Sequence, residues 1–374
     1  MNSVQLSKKI GGKIEVKPKK RLTKKSLPVL YTPGVAEVSK AIARNKKLSF
    51  QYTIRKNSVA IISDGSAVLG LGNIGPEGAL PVMEGKAVLF KELGGVNAFP
   101  IVLNTQNTEK IIEIIKAIAP TFGGINLEDI SAPRCFEIED KLKRCLKIPV
   151  FHDDQHGTAI VVLAGLINSL KVVKKDAKKI KVVISGAGAA GIAIAKLLFK
   201  YGIKNIVLSD SRGIIYKNRQ GGMNEAKKEI AAITNSENIK GTLKQALKGA
   251  DVFIGVSAPN LLDKHDIRKM NLRPIVFTMS NPVPEIAPNE ARKGGAEIIA
   301  TGSSEYPNQI NNALVFPGIF RGALDNQIKT VSDKHKIKAA EALASLIRKP
   351  NRDKIMPAVL DRRAVKVVAN IFKF

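Results

Sequence analysis

The sequence contains no tryptophan, and aromatic residues make up only 5% of its 374 positions. Its two cysteines, Cys135 and Cys145, are too few for a disulfide framework and suit a reducing interior. Acids are scarce beside bases: 32 Asp and Glu stand against 60 Lys and Arg, for a formal charge of +28. No apolar run reaches the length of a bilayer span, the longest lying near Thr158–Leu170. The opening MNSVQLSKKIGGKIEVKPKKR holds no apolar stretch of the secretory type, so a cytoplasmic protein is expected. The basic excess is heaviest in residues 1–50, with thirteen Lys and Arg against two Asp and Glu. Elsewhere the charges are spread out, mostly as lysine with few aromatics between them. That pattern argues against a nucleic-acid partner, and no membrane partner is expected.

What is present is the composition of a globular protein, 44% hydrophobic and 25% charged, with length for two domains. The chain reads as organised around Ile148–Leu170, IPVFHDDQHGTAIVVLAGLINSL. A short apolar strand there runs into Asp153 and Asp154, and an apolar run follows from Thr158. Two carboxylates at a strand end, beside the start of a helix, suit a divalent cation. A second strand, within Phe122–Ile130, ends in Glu128 and Asp129. Taken alone, that pair also fits a helix start, where anions suit the dipole. Adjacent residues point apart on regular elements, so only one or two acids of each pair should reach one ion.

Upstream, Leu27–Val35 reads as a strand or turn between two prolines, with Tyr31 as a half-buried packing residue on local sequence alone. Ser58–Ile62 is an apolar strand. The stretch from Ser63 to Phe90 is rich in glycine, which suits either close backbone approach or a run of tight turns. Lys86 precedes the apolar Ala87–Phe90, a placement in which desolvation should lower its pKa. Downstream, Lys181–Ile184 is a strand followed by Gly186-Ala187-Gly188-Ala189-Ala190-Gly191 and then a helix. The next strand ends at Asp210, 19 residues after the last glycine. Strand, glycine turn, helix and acid together make the dinucleotide fingerprint. The helix start takes the pyrophosphate and Asp210 the ribose hydroxyls of NAD, while Arg212 offers a partner for the 2′-phosphate of NADP. Asn281, at another strand end, fits either a ligand contact or an Asn-Pro turn. Asn311 and Asn312 precede a further apolar run. Alternating strands and helices over 181–330 predict a doubly wound parallel sheet.

The segments LYTPGVAEVSKAI, SDGSAVLGLGNIG, PVMEGKAVLFK, GGINLEDISAP, PVFHDDQHGTA, GAGAAG, MSNPVPEI and YPNQINNALVFPGIFRGALD resemble the malic enzymes, most closely their short prokaryotic form. The resemblance runs in order from about residue 20 to the end. It implies an α/β fold, with an N-terminal malic-type domain at 1–155 and a Rossmann-type NAD(P)-binding domain at 156–374. It implies oxidative decarboxylation of L-malate to pyruvate with NAD or NADP and Mg²⁺ or Mn²⁺, in a homodimer. By that resemblance Tyr31 is the general acid and Lys86 the general base. Glu128, Asp129 and Asp154 are the metal ligands, with Asp153 beside them. Asn281 and Asn312 hold malate, with Asn311 next to the latter. Two departures stand out. Ser66-Ala67 occupies the place where larger members carry an arginine, and Ser303 stands where short members commonly have one. No second, acyltransferase-like domain is expected. The competing enzyme readings are an oxaloacetate decarboxylase or another 2-hydroxy acid dehydrogenase on the same fold. The competing non-enzyme reading is a basic nucleic-acid-binding protein.

Overall fold

The computed structural model describes residues 2–68 and 70–373. Its strands form two sheets. The first comprises β1 (Ser58–Ser63), β2 (Asn97–Val102), β3 (Gly124–Leu127) and β4 (Val150–His152), all parallel, in the order β2-β1-β3-β4. The second comprises β5 (Val182–Ser185), β6 (Ile206–Asp210), β7 (Gly213–Ile214), β8 (Val252–Gly255), β9 (Ile275–Thr278) and β10 (Ile298–Thr301). Its order is β10-β9-β8-β5-β6-β7, parallel throughout except for β7, which turns back on β6. The strand order reverses beside β5, so the crevice at its carboxyl end is the place for a ligand. The central strands are continuous apolar runs because helices cover both of their faces.

The Asp153–Val173 helix lies between the sheets and joins them. Asp153 and Asp154 occupy its first turn, where carboxylates suit the dipole, and the rest is apolar on nearly every face. It is long and apolar enough to cross a membrane, but most of it is buried inside the protein, as in a core helix. It packs on the Ala189–Tyr201 and Asp333–Ser345 helices within a core shared by both sheets. The 155/156 divide expected from sequence falls in its first turn.

Two upstream expectations change. Residues Gly75–Gly94 form one continuous helix, although Gly78, Pro81 and Gly85 lie inside it. Its buried face, Ala79, Met83, Ala87 and Phe90, outweighs the weak local propensity. Only the preceding part of the glycine-rich stretch, Gly65–Gly75, is made of turns, and Leu69 within it lies outside the described residues. Leu27–Leu30, expected as strand or turn, is a single helical turn with Pro28 near its start, where a missing N–H costs nothing. From Leu27 to Asn57 no helix buries a residue.

Candidate active site

The carboxyl ends of both sheets open onto one cavity of 1190 Å³. Lys86, Glu128, Asp129 and Asp154 line one side of it. Gly188, Ala189, Ala190 and the amides of Asn281, Asn311 and Asn312 line the other. Glu128 and Asp129 follow β3 directly. Asp129 has a left-handed backbone, φ 52°, which is uncommon for a non-glycine residue. That turn lets two adjacent acids face the same space. Each offers a carboxylate oxygen within 4.8 Å of one on Asp154. The Asp129 backbone N–H also donates to Asp154 Oδ2 at 2.8 Å, and Asn126 Nδ2 donates to Glu128 at 3.0 Å.

Asp153 turns the other way. Its Oδ2 lies 2.5 Å from Lys86 Nζ, which also lies 2.5 Å from Glu128 Oε1. The ring of Phe316 sits 4.3 Å from the same ammonium. Gly157 makes room for this arrangement, because a Cβ there would lie 1.8 Å from Asp153 Oδ1. The expectation of a lowered Lys86 pKa is overturned. Burial opposes the charge, but Asp153, Glu128 and Asp154 outweigh it and hold the ammonium above its ordinary value. The carboxyls move up as well: burial, then Asp154 and Glu128, push Asp129 up to about 9, and burial pushes Asp153 up to about 7 despite Lys86.

In the second sheet the glycines divide the work. A Cβ on Gly186 would meet the carbonyl of Val256 at 2.6 Å, and one on Gly191 would meet that of Gly186 at 1.8 Å. Gly188 faces open space at the start of the Ala189–Tyr201 helix. This is a tight turn with a free N-terminus, as a pyrophosphate requires. Asp210 ends β6 beside it, yet both its oxygens are engaged by Arg219 and Lys227. Tyr31 is placed differently again. It is 66% exposed rather than half-buried and does not line the cavity.

The family model for the N-terminal domain of malic enzyme matches residues 11–143, and that for the malic enzyme NAD-binding domain matches residues 155–373. The chain belongs to the malic enzyme family. It is 53% identical to the bifunctional malic/malolactic enzyme of Bacillus subtilis, over 98% of this chain and 90% of that one. It is 55% identical to the NAD-dependent malic enzyme of Geobacillus stearothermophilus, over 96% of this chain and 75% of that one. The crystal structure of NAD-dependent malic enzyme from Thermotoga maritima superposes with a TM-score of 0.97 at 47% identity, covering 100% of this chain and 99% of that one.

The residues of this chain fit a hard divalent cation. Three carboxylates converge with no cationic group between them except Lys86 at one edge, and Asp129 Oδ2 is buried without a hydrogen-bond partner. Such crowding is relieved by a cation with oxygen ligands. Among the described residues lining the cavity, Lys86 is the only one with a cationic side chain. The Ser66-Ala67 position does not supply another: Ser66 Oγ bonds Asp64 and accepts from the Ser131 N–H, while Arg134 pairs with Asp64 at 2.9 Å.

Sequence reasoning missed Glu139. It is buried, accepts the His152 backbone N–H, and lies 2.8 Å from both Lys143 and His156. It thereby ties the Arg134–Cys145 helix to the turn that carries Asp153 and Asp154. Only the burial of an acid in an otherwise ordinary helix would have revealed it, and spacing does not show burial.

Proposed function

We propose that this chain catalyses the oxidative decarboxylation of L-malate, giving pyruvate, CO₂ and NAD(P)H. The observation that carries the reading is the single cavity holding the carboxylate triad and Lys86 on one wall and the dinucleotide turn on the other. A bound divalent cation would supply Lewis acidity and a bound nicotinamide an acceptor for hydride. Glu128, Asp129 and Asp154 would hold the cation. The amides of Asn281 and Asn312, with Asn311 beside them, orient malate. Lys86 takes the C2 hydroxyl proton as the neutral amine, after its ammonium has passed a proton to Asp153, whose Oδ2 lies 2.5 Å away and whose carboxyl is raised by burial. Glu128 is common to the lysine and the triad, so its charge cannot serve both in full. After CO₂ leaves, Tyr31 protonates the enol at C3. The test is reduced-cofactor absorbance with malate, Mn²⁺ and each cofactor. Malate-dependent reduction supports the reading. Decarboxylation of oxaloacetate with no malate oxidation under any combination overturns it.

The same reading calls for a second copy of the chain. Tyr31 cannot protonate a product in a cavity it does not line. Around it Val29, Leu30, Val35 and Val38 are exposed on helices that bury nothing. A homodimer that covers this apolar segment and brings Tyr31 to the partner's cavity accounts for both facts. The two unpaired cysteines suit a cytoplasmic setting.

A further inference from the structure

We propose that Glu285 is a positioning residue of the active site: its buried carboxylate ties the loop after β8 to the loop after β9 and so sets the Asn281 amide against malate. The inference rests on reading Asn281 as a malate contact. Glu285 is 0% exposed and does not itself line the cavity. Its carboxylate lies across the carboxyl ends of two neighbouring strands, where Gly255 and Thr278 are paired in register. Oε1 accepts from the Ser257 N–H at 2.9 Å. Oε2 accepts from the Ser280 N–H at 3.1 Å and the Thr278 hydroxyl at 3.0 Å. Gly255 supplies the space, because a Cβ there would lie 2.3 Å from Cδ of Glu285. The backbone is fixed as well. The Glu285 carbonyl accepts from the N–H groups of Leu261 and Leu262 at 2.8 and 3.1 Å, and the Pro284 carbonyl from that of Asn260 at 3.0 Å.

Burying a carboxylate is costly unless hydrogen bonds satisfy it. Among the described residues its three donors are all neutral, and two of them are backbone N–H groups of loops that line the cavity. Ser257, Ala258 and Pro259 face the cavity from one loop, and Met279, Ser280 and Asn281 from the other. An apolar side chain would fill the same space without that cost, but would leave both loops unheld. The bonds continue toward both ligand sites. Ser257 Oγ lies 2.8 Å from Oγ of Ser185, the residue before the Gly186 turn. Ser280 precedes Asn281, whose Nδ2 lies 3.4 Å from the Met279 carbonyl. That amide fits because Gly302 has no side chain: a Cβ there would lie 2.4 Å from Nδ2. One carboxylate thus sets the register between the dinucleotide turn and the amide that holds malate.

Glu285→Gln keeps the size but not the acceptors. Whichever way its amide turns, an NH₂ group faces the N–H of Ser257 or of Ser280, and that loop is released. Malate is titrated by calorimetry into Mn²⁺-loaded protein without dinucleotide, so that nothing turns over. The variant should bind malate about tenfold more weakly, the scale of one lost hydrogen bond to a charged group, with Mn²⁺ affinity within about twofold of wild type. Glu285→Asp keeps the charge but is too short to span both loops. It should weaken malate binding as well, and it carries the test if Glu285→Gln does not fold. Thr278→Val removes the third bond and leaves both loop amides held, so it should lower Tm yet leave malate affinity within about twofold of wild type. Glu285 variants that lose Tm but keep malate affinity overturn the proposal, as does failure of both to fold. Asn281→Ala separates the two readings. If it binds malate as wild type does, the reading of Asn281 fails and the proposal with it. If it loses affinity while Glu285→Gln does not, the proposal alone fails. If wild type itself does not bind malate, the malate reading fails.

Discussion

Gly157→Ala separates a helix glycine from a site glycine. In an ordinary helix interior the change should stabilise by about 0.5–1 kcal/mol, through lost backbone entropy. At Gly157 the new Cβ would lie 1.8 Å from Asp153 Oδ1, 2.8 Å from its Cγ and 3.2 Å from Asn312 Cβ, against ordinary contact at 3.4 Å or more. Oδ1 is buried and has no hydrogen-bond partner, so the carboxylate is the group that yields. Yielding moves Oδ2 away from Lys86, which among the described residues then keeps one direct ion pair, with Glu128. Overpacking in a dense interior costs about 1–3 kcal/mol, which cancels or exceeds the helix gain. A displacement of about 1 Å at a reacting group costs on the order of 10²-fold in rate. The variant should therefore fold with a melting temperature near or a few degrees below wild type, and lose about two orders of magnitude in malate-dependent kcat. Thermal melts and steady-state kinetics on the same preparation read both. A variant that is more stable and fully active would refute the claim that Asp153 positions Lys86.

Metal binding should follow the triad. Asp154→Asn should weaken Mn²⁺ binding by at least tenfold while dinucleotide binding stays within about twofold, read by titration calorimetry with each ligand. Asp129, pushed up to about 9 by burial and the neighbouring acids, must lose its proton to act as a ligand, so Mn²⁺ affinity should rise by about tenfold per pH unit while that proton is displaced. Linkage has the same sign. A carboxyl raised in the folded state destabilises it increasingly as pH climbs from the unfolded value toward 9, so the metal-free melting temperature should fall across that window and Mn²⁺ should restore more of it at pH 8.5 than at pH 6.5. A flat pH response would contradict the displacement of a proton from Asp129 by the ion. Mixing inactive Tyr31→Phe and Lys86→Ala proteins and exchanging subunits should recover activity if Tyr31 serves the partner's cavity, and should recover none if each copy is self-sufficient.

Much of the fold was legible because strands, glycine turns and acids fall in order along the chain. The β5 strand, the Gly186–Gly191 turn and the Asp210 strand end are local patterns, and the structure places them as read. So too were the acids that follow β3 and β4, because strand ends in parallel sheets converge on one edge. Where reading failed, the decisive partner lay far away in sequence. Nothing near Lys86 announces Asp153, 67 residues on, so burial was read as lowering a pKa that paired carboxylates instead raise. Asp210 looked free because Arg219 and Lys227, 9 and 17 residues later, are two cations among 60. The Gly75–Gly94 helix was hidden by its own glycines and Pro81, since propensity is local and the burial that overrides it is not. Tyr31 was read as half-buried, but its 66% exposure is set by which elements pack over Leu27–Arg44, and local sequence does not show that.

Lys86 and Tyr31 are proposed to serve different halves of one reaction, and measuring both halves in both variants tests this most directly. The assays are malate oxidation, followed as reduced cofactor with saturating Mn²⁺, and ketonisation of enolpyruvate supplied to the enzyme. Lys86→Ala should lose malate oxidation by roughly 10²- to 10⁴-fold, and small added amines should restore part of it. Tyr31→Phe should still bind malate and metal, but ketonise enolpyruvate slower by a factor of roughly the same range. Near-normal malate oxidation by Lys86→Ala, or unimpaired ketonisation by Tyr31→Phe, would contradict the role given to that residue.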